Sequence, residues 1–266
     1  MSEVTNMNNT ETNEAALTAP VDTAVAMSSS AEPILGFEEA KSEDNILPRI
    51  KVINALSPER VDGIATEGDV INALTTESVK GKRFIPIKVY YSNIEWNPDR
   101  DDEENRMFCR SLDGVTGTTS EGECKTCKLC GRNQFDNSKT GKEAQPRCTS
   151  YMNFLGFFED DPMPVVLSFS RTNYNEGKKM LSVARSLRKS IWSYSYLLDS
   201  KQITKGKNKW FIITSTLATP TTEEERCIAA ELFKMYQEAV INADYADETS
   251  ESRNSVIVNP ETEEEI

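Results

Sequence analysis

The chain has 266 residues, a formal net charge of −13 and no histidine. Without histidine, the commonest catalytic zinc sites and any histidine general base are excluded, because each of them needs an imidazole ring. A charge of −13 spread evenly over the surface would also disfavour a nucleic-acid partner. The charge is not even: residues 1–45 carry −8 and residues 244–266 carry −7, which leaves +2 for residues 46–243.

Residues 1–45 are rich in Thr, Ala, Ser, Asn and Glu and contain one aromatic residue, Phe37. So little apolar surface cannot offset the entropy that folding costs, so we predict a disordered N-terminal segment. The start of the chain lacks the basic residues and apolar run of a signal peptide, and no stretch of ~18 apolar residues occurs. We therefore expect a cytoplasmic protein without membrane association.

A folded domain is predicted over residues 46–243, and it begins with two strands. Residues 49–56 alternate in part between apolar and polar side chains. Residues 84–91 form a clearer strand pattern, in which Ile85 and Ile87 share one face. Pro86 interrupts this strand and cannot donate a backbone hydrogen bond, so it predicts a sheet edge or a β-bulge.

Five of the six cysteines lie between residues 109 and 148, and three of them form the run Cys124-Lys-Thr-Cys127-Lys-Leu-Cys130. A C-x₂-C pair is typical of zinc sites, in which four thiolates surround the ion at about 2.3 Å. An all-cysteine site is normally structural rather than catalytic. We therefore predict one structural Zn²⁺ in a loop insertion over residues 109–148.

The choice of zinc ligands is left open by the spacing. We favour Cys109, Cys124, Cys127 and Cys148, because this set uses both flanking cysteines, with Cys130 as the alternative ligand. Disulfides are disfavoured because nothing indicates an oxidising compartment. Reduced free thiols and a redox-active C-x₂-C remain the other interpretations.

Two strand pairs follow the cysteine segment, and each has a turn signal between its strands. Residues 151–158 and 164–170 flank Asp160-Asp-Pro and predict one hairpin. Residues 193–198 and 210–216 flank Lys205-Gly-Lys-Asn208 and predict a second.

Two helices are also predicted. Residues 175–191 place Met180, Ala184 and other apolar side chains at helical spacing. The sequence Thr222-x-x-Glu225 is a capping box that opens a helix reaching about residue 241. Strands, a helix and a further hairpin in this order predict a mainly β protein with α (α+β). The most specific form of that prediction is an OB-like five-stranded barrel with the zinc loop insertion and a C-terminal helix. A general α+β sandwich is the alternative, and residues 244–266 are predicted to be a disordered acidic tail.

Residues 165–215 hold ten basic and two acidic side chains, with seven aromatic residues among them. Sequence-tolerant binding of single strands requires basic side chains, which contact phosphates, beside aromatic rings, on which nucleobases stack. Core packing of the rings and solvation of the lysines is the competing interpretation. The candidate nucleic-acid-binding residues are Arg171, Tyr174, Lys178, Lys179, Arg185, Arg188, Lys189, Trp192, Tyr194, Lys205, Lys207, Lys209 and Trp210.

The cysteine loop, the basic-aromatic stretch 165–215 and the acidic end 244–266 together resemble the single-stranded-DNA-binding proteins of bacteriophages. The segment from Ile94 to Gly114 is also similar to that of uncharacterised phage proteins. The resemblance implies an OB barrel, a cysteine-ligated zinc and non-sequence-specific binding of single-stranded DNA. It further implies a role in phage DNA replication, recombination or repair in the host cytoplasm, with an acidic tail that recruits replication and recombination proteins.

Two other functions are weighed against this one. A zinc-ribbon factor that binds host transcription or defence machinery would use the cysteine loop as its contact surface. A nuclease would need Mg²⁺, which Asp99, Asp101 and Asp102, or Glu159, Asp160 and Asp161, would have to hold. Acidic runs in polar turns are usually solvated, and no nucleotide-binding or nucleophile motif occurs, so we expect no enzyme activity.

Overall fold

The computed structural model describes residues 47–96, 107–136, 138, 144–239, 241 and 243. The two predicted disordered ends, residues 1–45 and 244–266, lie outside the described residues. Among the described residues no helix has the length and apolar character needed to span a membrane.

Ten strands and four helices are formed by the described residues. The strands are β1 (Arg49–Val52), β2 (Val70–Asn72), β3 (Arg83–Trp96), β4 (Met107–Ser111), β5 (Thr116–Thr119), β6 (Cys124–Thr126), β7 (Cys148–Phe158), β8 (Asp161–Ser170), β9 (Tyr194–Lys205) and β10 (Asn208–Pro220). The helices are α1 (Pro58–Val61), α2 (Cys127–Cys130), α3 (Tyr174–Ser186) and α4 (Glu223–Tyr236).

The long strand β3 organises the sheet, whose order is β2-β1-β8-β7-β3-β4-β5-β6. Along one edge β3 pairs with β7 over almost its whole length. Along its other edge it pairs with β9 at Arg83 and Phe84, and with β4 from Asn93 onwards. The β1–β8 pair is parallel and the other pairs are antiparallel. Strand β3 thus pairs with three other strands: β4, β7 and β9.

Both faces of the central strands are buried, which explains their nearly continuous apolar sequence. Adjacent residues such as Phe154 and Leu155 enter different clusters, because side chains alternate along a strand. Helix α3 packs Met180 into the first cluster, and α4 packs Leu232 into the second. Each large apolar side chain buried in this way contributes about 1.5–3 kcal/mol relative to its exposed state.

The prediction of a mainly β protein with helices is confirmed, as are both hairpins, β7–β8 and β9–β10. The bulge predicted at Pro86 is present as a register shift against β7. The capping box at Thr222 opens α4: its hydroxyl accepts from Glu225 N at 3.2 Å, and Thr222 N donates to the Glu225 carboxylate at 2.6 Å.

Several details differ from the predictions. Helix α3 ends at Ser186 rather than residue 191, because Arg188 has a left-handed backbone (φ +49°). Helix α4 ends at Tyr236 rather than near residue 241. Cys227 lies in a helical sequence pattern far from the other cysteines, which favours a core position, but it is exposed. It lies outside the α4 stripe that Ala229 and Leu232 bury.

The five-stranded barrel is not confirmed, because the described strands form an open sheet. Two asparagine amides, instead of a strand, occupy the outer edge of β10. Asn54 Oδ1 accepts from Phe211 N at 2.6 Å, and Asn54 Nδ2 donates to Phe211 O at 3.4 Å. In its better-satisfied amide orientation, Asn173 donates to Ile213 O at 2.9 Å and accepts from Ile213 N at 3.3 Å.

The β9–β10 hairpin is also held by close packing against Gly68, which has φ +88°. A Cβ at Gly68 would lie 2.7 Å from the Phe211 ring, so only glycine allows this approach. Ser200 Oγ donates to Gly68 O at 2.5 Å from the neighbouring strand. The hairpin is therefore fixed against residues 53–69 and the start of α3 without ladder pairing.

The two-point contact of Asn54 yields a stability prediction. Asn54→Ala leaves the Phe211 N–H and C=O without their amide partner, so the free energy of unfolding should fall by about 1–3 kcal/mol. Gln202→Ala is the control, since Gln202 is exposed on β9 and pairs with Phe211 across the hairpin. Equal free energies of unfolding in urea for the two variants would contradict this role of Asn54.

Candidate functional site

A groove of about 540 Å³ lies between the start of α3, the β9–β10 hairpin and the segment around residues 133–150. Three cations line it, namely Arg171, Lys178 and Lys205, and the rings of Tyr174 and Trp210 face it as well. Its lining residues include no carboxylate. Because nothing acidic offsets the three cations within the lining, the groove favours an anionic ligand with flat apolar parts.

A second hollow of about 210 Å³ continues the groove on the other side of Trp210. Arg171 and Trp210 line both, and the hollow adds the basic residues Arg49, Lys51 and Lys209. Lys51 is ion-paired with Glu59, while the hollow's own lining has no carboxylate. The two together form one basic path across this surface.

Arg171 occupies an unusual backbone position at the floor of the groove. It begins the 3₁₀ turn Arg171–Asn173 that joins β8 to α3, and its φ is +48°. A left-handed backbone costs a non-glycine residue roughly 1–2 kcal/mol. Arg171 Nη2 donates to Thr149 Oγ1 at 3.3 Å, so the guanidinium is held beside the first residues of β7.

Tyr174 and Lys178 lie one helical turn apart at the start of α3. The Lys178 ammonium is 5.4 Å from the centroid of the Tyr174 ring, within the range of a cation–π contact. Burial raises the pKa of the Tyr174 hydroxyl above its usual value, so the phenol is neutral near pH 7. Tyr174 N donates to Arg171 O, so the 3₁₀ turn runs directly into α3 and holds Arg171 next to this pair.

Trp210 is half-buried, and its Nε1–H is buried without a hydrogen-bond acceptor among the described residues. A buried donor of this kind normally has a polar partner. Trp210 therefore contributes a large aromatic side chain to the lining of both the groove and the hollow.

The remaining candidate nucleic-acid residues lie elsewhere. Arg185, Arg188 and Lys189 are at the far end of α3, roughly 16 Å along the helix from Tyr174 at 1.5 Å per residue. There, Lys189 Nζ lies 5.6 Å from the Tyr194 ring centroid.

Other candidates are engaged locally or exposed. Lys179 is ion-paired with Glu176 at 3.5 Å, and Lys207 is exposed in the hairpin turn. Trp192 packs on Phe233 with ring centroids 5.2 Å apart, in the cluster under α4. The structure therefore separates Trp192 from the groove.

Four cysteines line a small cavity of about 20 Å³ beside the groove. Cys109 lies in β4, Cys127 and Cys130 are the two ends of α2, and Cys148 starts β7. These four and Cys227 form no disulfide. Among the described residues no group of three or more Cys, Asp or Glu side chains has metal-holding geometry as it stands. The Cys124 side chain lies outside the described ones.

The four thiols differ in exposure: Cys130 is exposed, and Cys109, Cys127 and Cys148 are partly buried. Burial raises the pKa of Cys148 to about 12, and the Glu95 carboxylate adds to the increase. Arg132 Nη1 donates to both Glu95 oxygens, at 2.9 and 2.8 Å, and its guanidinium lies 5.3 Å from the Phe108 ring centroid. The pKa of Arg132 is raised by this hydrogen-bonded pair.

The cysteine cavity and the groove share two lining residues, Asn133 and Cys148. Phe135 and Pro146, from the same chain segment, also line the groove. Cys148 N donates to Arg132 O at 3.0 Å, which joins the two ends of that segment. The segment that follows the C-x₂-C pair is therefore one wall of the groove.

The acidic run at residues 159–161 is engaged by basic side chains. Glu159 accepts from Arg83 at 2.8 Å and Asp160 from Lys82 at 2.8 Å. Lys82 lowers the pKa of Asp160 below its usual value. This pattern is typical of an ion-paired turn. The other run, Asp99 to Asp102, lies outside the described residues.

Sequence reasoning missed several residues of this site. Arg49, Lys51 and Phe135 line the basic path but lie far from the basic-aromatic stretch along the chain. No local pattern identifies them, because strand pairing and the cysteine segment bring them there. Arg49 and Lys51, two positive charges on a short apolar strand, are the one signal that the sequence offers.

A family model describing the Pam3 phage gp34-like proteins matches residues 12–242. The chain therefore belongs to the Pam3 phage gp34-like protein family, whose name suggests a bacteriophage origin. Searches of curated proteins and of solved structures gave no match.

The Glu95–Arg132 pair gives a second stability prediction. Arg132→Met leaves the buried Glu95 carboxylate without its cation. Because the Arg132 side chain is 37 % exposed, the cost should be about 2–3 kcal/mol, between exposed and fully buried pairs.

Adding Glu95→Gln to this variant removes the stranded charge and should restore part of the loss. Arg147→Met, at an exposed arginine of the same segment, is the control. Chemical denaturation measures the free energy of unfolding of all three variants. An Arg132→Met variant as stable as Arg147→Met would contradict a structural role for the pair.

Proposed function

We propose that the protein binds single-stranded DNA without sequence specificity in the groove beside Trp210, and acts in phage DNA replication, recombination or repair. The observation that carries this proposal is the composition of the groove: three cations and two partly buried aromatic side chains, with no carboxylate in its lining. Phosphates pair with the cations, and nucleobases stack on the rings. The proposal includes no catalytic step.

The same composition favours a single strand over a duplex. In a duplex the faces of the bases are stacked on one another and cannot reach rings recessed in a groove. In a single strand each base offers a π-face, so stacking is tolerant of sequence and contributes ~1–3 kcal/mol per base. The basic hollow with Lys209 extends the path for the backbone beyond the groove.

The architecture supports an OB-like arrangement as part of the proposal. The β9–β10 hairpin curls over the start of α3, and Asn54 and Asn173 link its outer edge to the rest of the domain. Recruitment of replication or recombination proteins by residues 244–266 also belongs to the proposal, although these residues lie outside the described part of the chain.

A second function is favoured by one observation. Leu129, between Cys127 and Cys130, is 86 % exposed, which is unusual for a large apolar side chain. A factor that binds host transcription or defence proteins through the cysteine loop would use such a residue. If the wild-type protein binds no single-stranded DNA even at low salt, this function replaces the first.

Trp210 provides the first test of DNA binding. Fluorescence anisotropy of a labelled oligonucleotide should show tighter binding of single-stranded than of duplex DNA. Trp210→Ala should weaken single-strand binding by roughly 5- to 150-fold, the equivalent of ~1–3 kcal/mol of lost stacking.

Trp210→Phe keeps an aromatic face and should retain most of the affinity, and circular dichroism checks that both variants are folded. A folded Trp210→Ala protein with wild-type affinity would remove Trp210 from the interface.

The salt dependence of affinity locates the phosphate contacts. If about four phosphates meet Arg171, Lys178, Lys205 and Lys209, the slope of log K against log salt should be about −2.8, at −0.7 per phosphate. Replacing Lys178 and Lys205 by Gln should reduce its magnitude by about 1.4.

The matched control is Arg185→Gln with Lys189→Gln, which removes the same charge from the far end of α3. A slope that changes with this pair, and not with the groove pair, would place the interface at that end of the helix.

A further inference from the structure

We propose that Cys109, Cys127, Cys130 and Cys148 bind one zinc ion, and that this ion fixes the wall that residues 131–148 contribute to the groove. The second half of this inference rests on the proposed function, whereas the first half does not. In the ligand set favoured from the sequence it replaces Cys124 by Cys130, the alternative ligand.

The first observation that supports the metal site is that thiols from separate parts of the chain lie together. Three separate stretches of chain, β4, α2 and the start of β7, bring four thiols to one cavity of about 20 Å³. Glu95, the acidic residue in the lining, has both carboxylate oxygens engaged by Arg132. The four thiols are therefore the groups in this lining that suit a soft metal ion.

The second support is the space left at Gly117, which also lines the cavity. A Cβ at this position would lie 2.9 Å from Cys109 Sγ and 3.6 Å from Cys127 Sγ. Any other residue would place its Cβ against both sulfurs. Glycine therefore leaves room beside the Cys109 and Cys127 thiols that a side chain would fill.

The third support is the turn that carries the C-x₂-C pair. Cys127 and Cys130 are the ends of α2, and Gly131 follows as a left-handed C-cap with φ +66°. Cys127 N donates to Val115 O at 2.8 Å, which fixes the turn to the β4–β5 connection. Rotation about χ1 repositions each sulfur while this backbone stays in place.

The chemistry of four thiols indicates the metal. Soft thiolate ligands in a tetrahedral set select zinc among the common divalent ions, with iron as the main competitor for four sulfurs. Four thiolates around Zn²⁺ carry a net −2. Lys125 and Arg132 line the cavity, and each is ion-paired with a glutamate, Lys125 with Glu123 at 2.9 Å and Arg132 with Glu95 at 2.8 Å. The set leaves no open coordination position, so the ion would be structural.

The metal site is linked to the groove by the chain segment between Cys130 and Cys148. Cys130 precedes this segment and Cys148 ends it, so a shared ion would hold both ends together. Asn133, Phe135 and Pro146, between them, line the groove. Metal binding becomes folding free energy for the segment that it closes. Loss of the ion would therefore loosen this wall of the groove.

Metal content tests the ligand set, using full-length protein purified under reducing conditions. Elemental analysis should give one zinc per chain for the wild type and for Cys124→Ser. In a competition with a chromogenic chelator, Cys130→Ser and Cys148→Ser should lose more affinity than the ~10–100-fold typical of an outer hydrogen-bond partner.

Substitution of Co²⁺ adds a readout that does not depend on stability, because thiolate ligands give charge-transfer bands. These bands should be unchanged in Cys124→Ser and weakened in Cys130→Ser. Unchanged bands in Cys130→Ser with weakened bands in Cys124→Ser would overturn the ligand set. Wild-type protein that binds neither zinc nor cobalt would overturn the site altogether.

DNA binding tests the link to the groove. Zinc-free protein prepared with a chelator should bind single-stranded DNA at least ~10-fold more weakly, and added ZnCl₂ should restore the affinity. Equal affinity with and without zinc would overturn the link while leaving the site. A protein that binds zinc but no DNA in either form would overturn the proposed function and not the metal site.

Discussion

The attachment of the β9–β10 hairpin across the start of α3 is the constraint on which the groove depends. Strand pairing holds the hairpin to β3 at only two residues, Arg83 and Phe84. Side-chain amides and the close approach at Gly68 fix the rest. Because a hairpin on its own is marginally stable, these contacts decide where Trp210 lies relative to α3. Without them the rings and cations would not share one surface.

The charge distribution is consistent with an anionic ligand that the groove attracts and that the net negative charge of the whole chain repels. The groove and its continuing hollow are lined by basic side chains, whereas residues 1–45 and 244–266 together carry −15. Salt at 0.1 M screens electrostatic interactions with a Debye length of about 10 Å. The groove therefore acts on nearby phosphates more than on distant ones. The cysteine segment connects this surface to the cysteine cavity, since Asn133 and Cys148 line both.

Local signals predicted the elements that local chemistry determines. The Thr222 capping box and the Lys205-Gly-Lys-Asn208 turn are present as predicted, because each depends on residues within one turn of chain. The pairing of β3 with β9 and the contact of Asn54 with β10 could not be predicted, since each joins residues more than a hundred positions apart. For the same reason the barrel was too specific a prediction.

The sequence predicted which types of residue form the site, but not which of these residues lie together in the structure. The basic and aromatic side chains of residues 165–215 are divided among the groove and its hollow, the hairpin turn, the far end of α3 and both core clusters. Trp192 and Trp210 look alike in sequence, yet one packs on Phe233 and the other faces the groove. Which cysteines share a cavity was likewise set by the pairing of β4 with β3, which brings Cys109 opposite Glu95.

Ultraviolet cross-linking of a single-stranded oligonucleotide to the full-length protein, followed by peptide mass spectrometry, tests the central claim most directly. Direct cross-links form where nucleobases stack on side chains, so the contact residues are read without any substitution. The account predicts cross-links at Tyr174 and Trp210, on either side of the groove. Cross-links confined to Tyr194 at the far end of α3, or to the cysteine segment around Leu129, would contradict it.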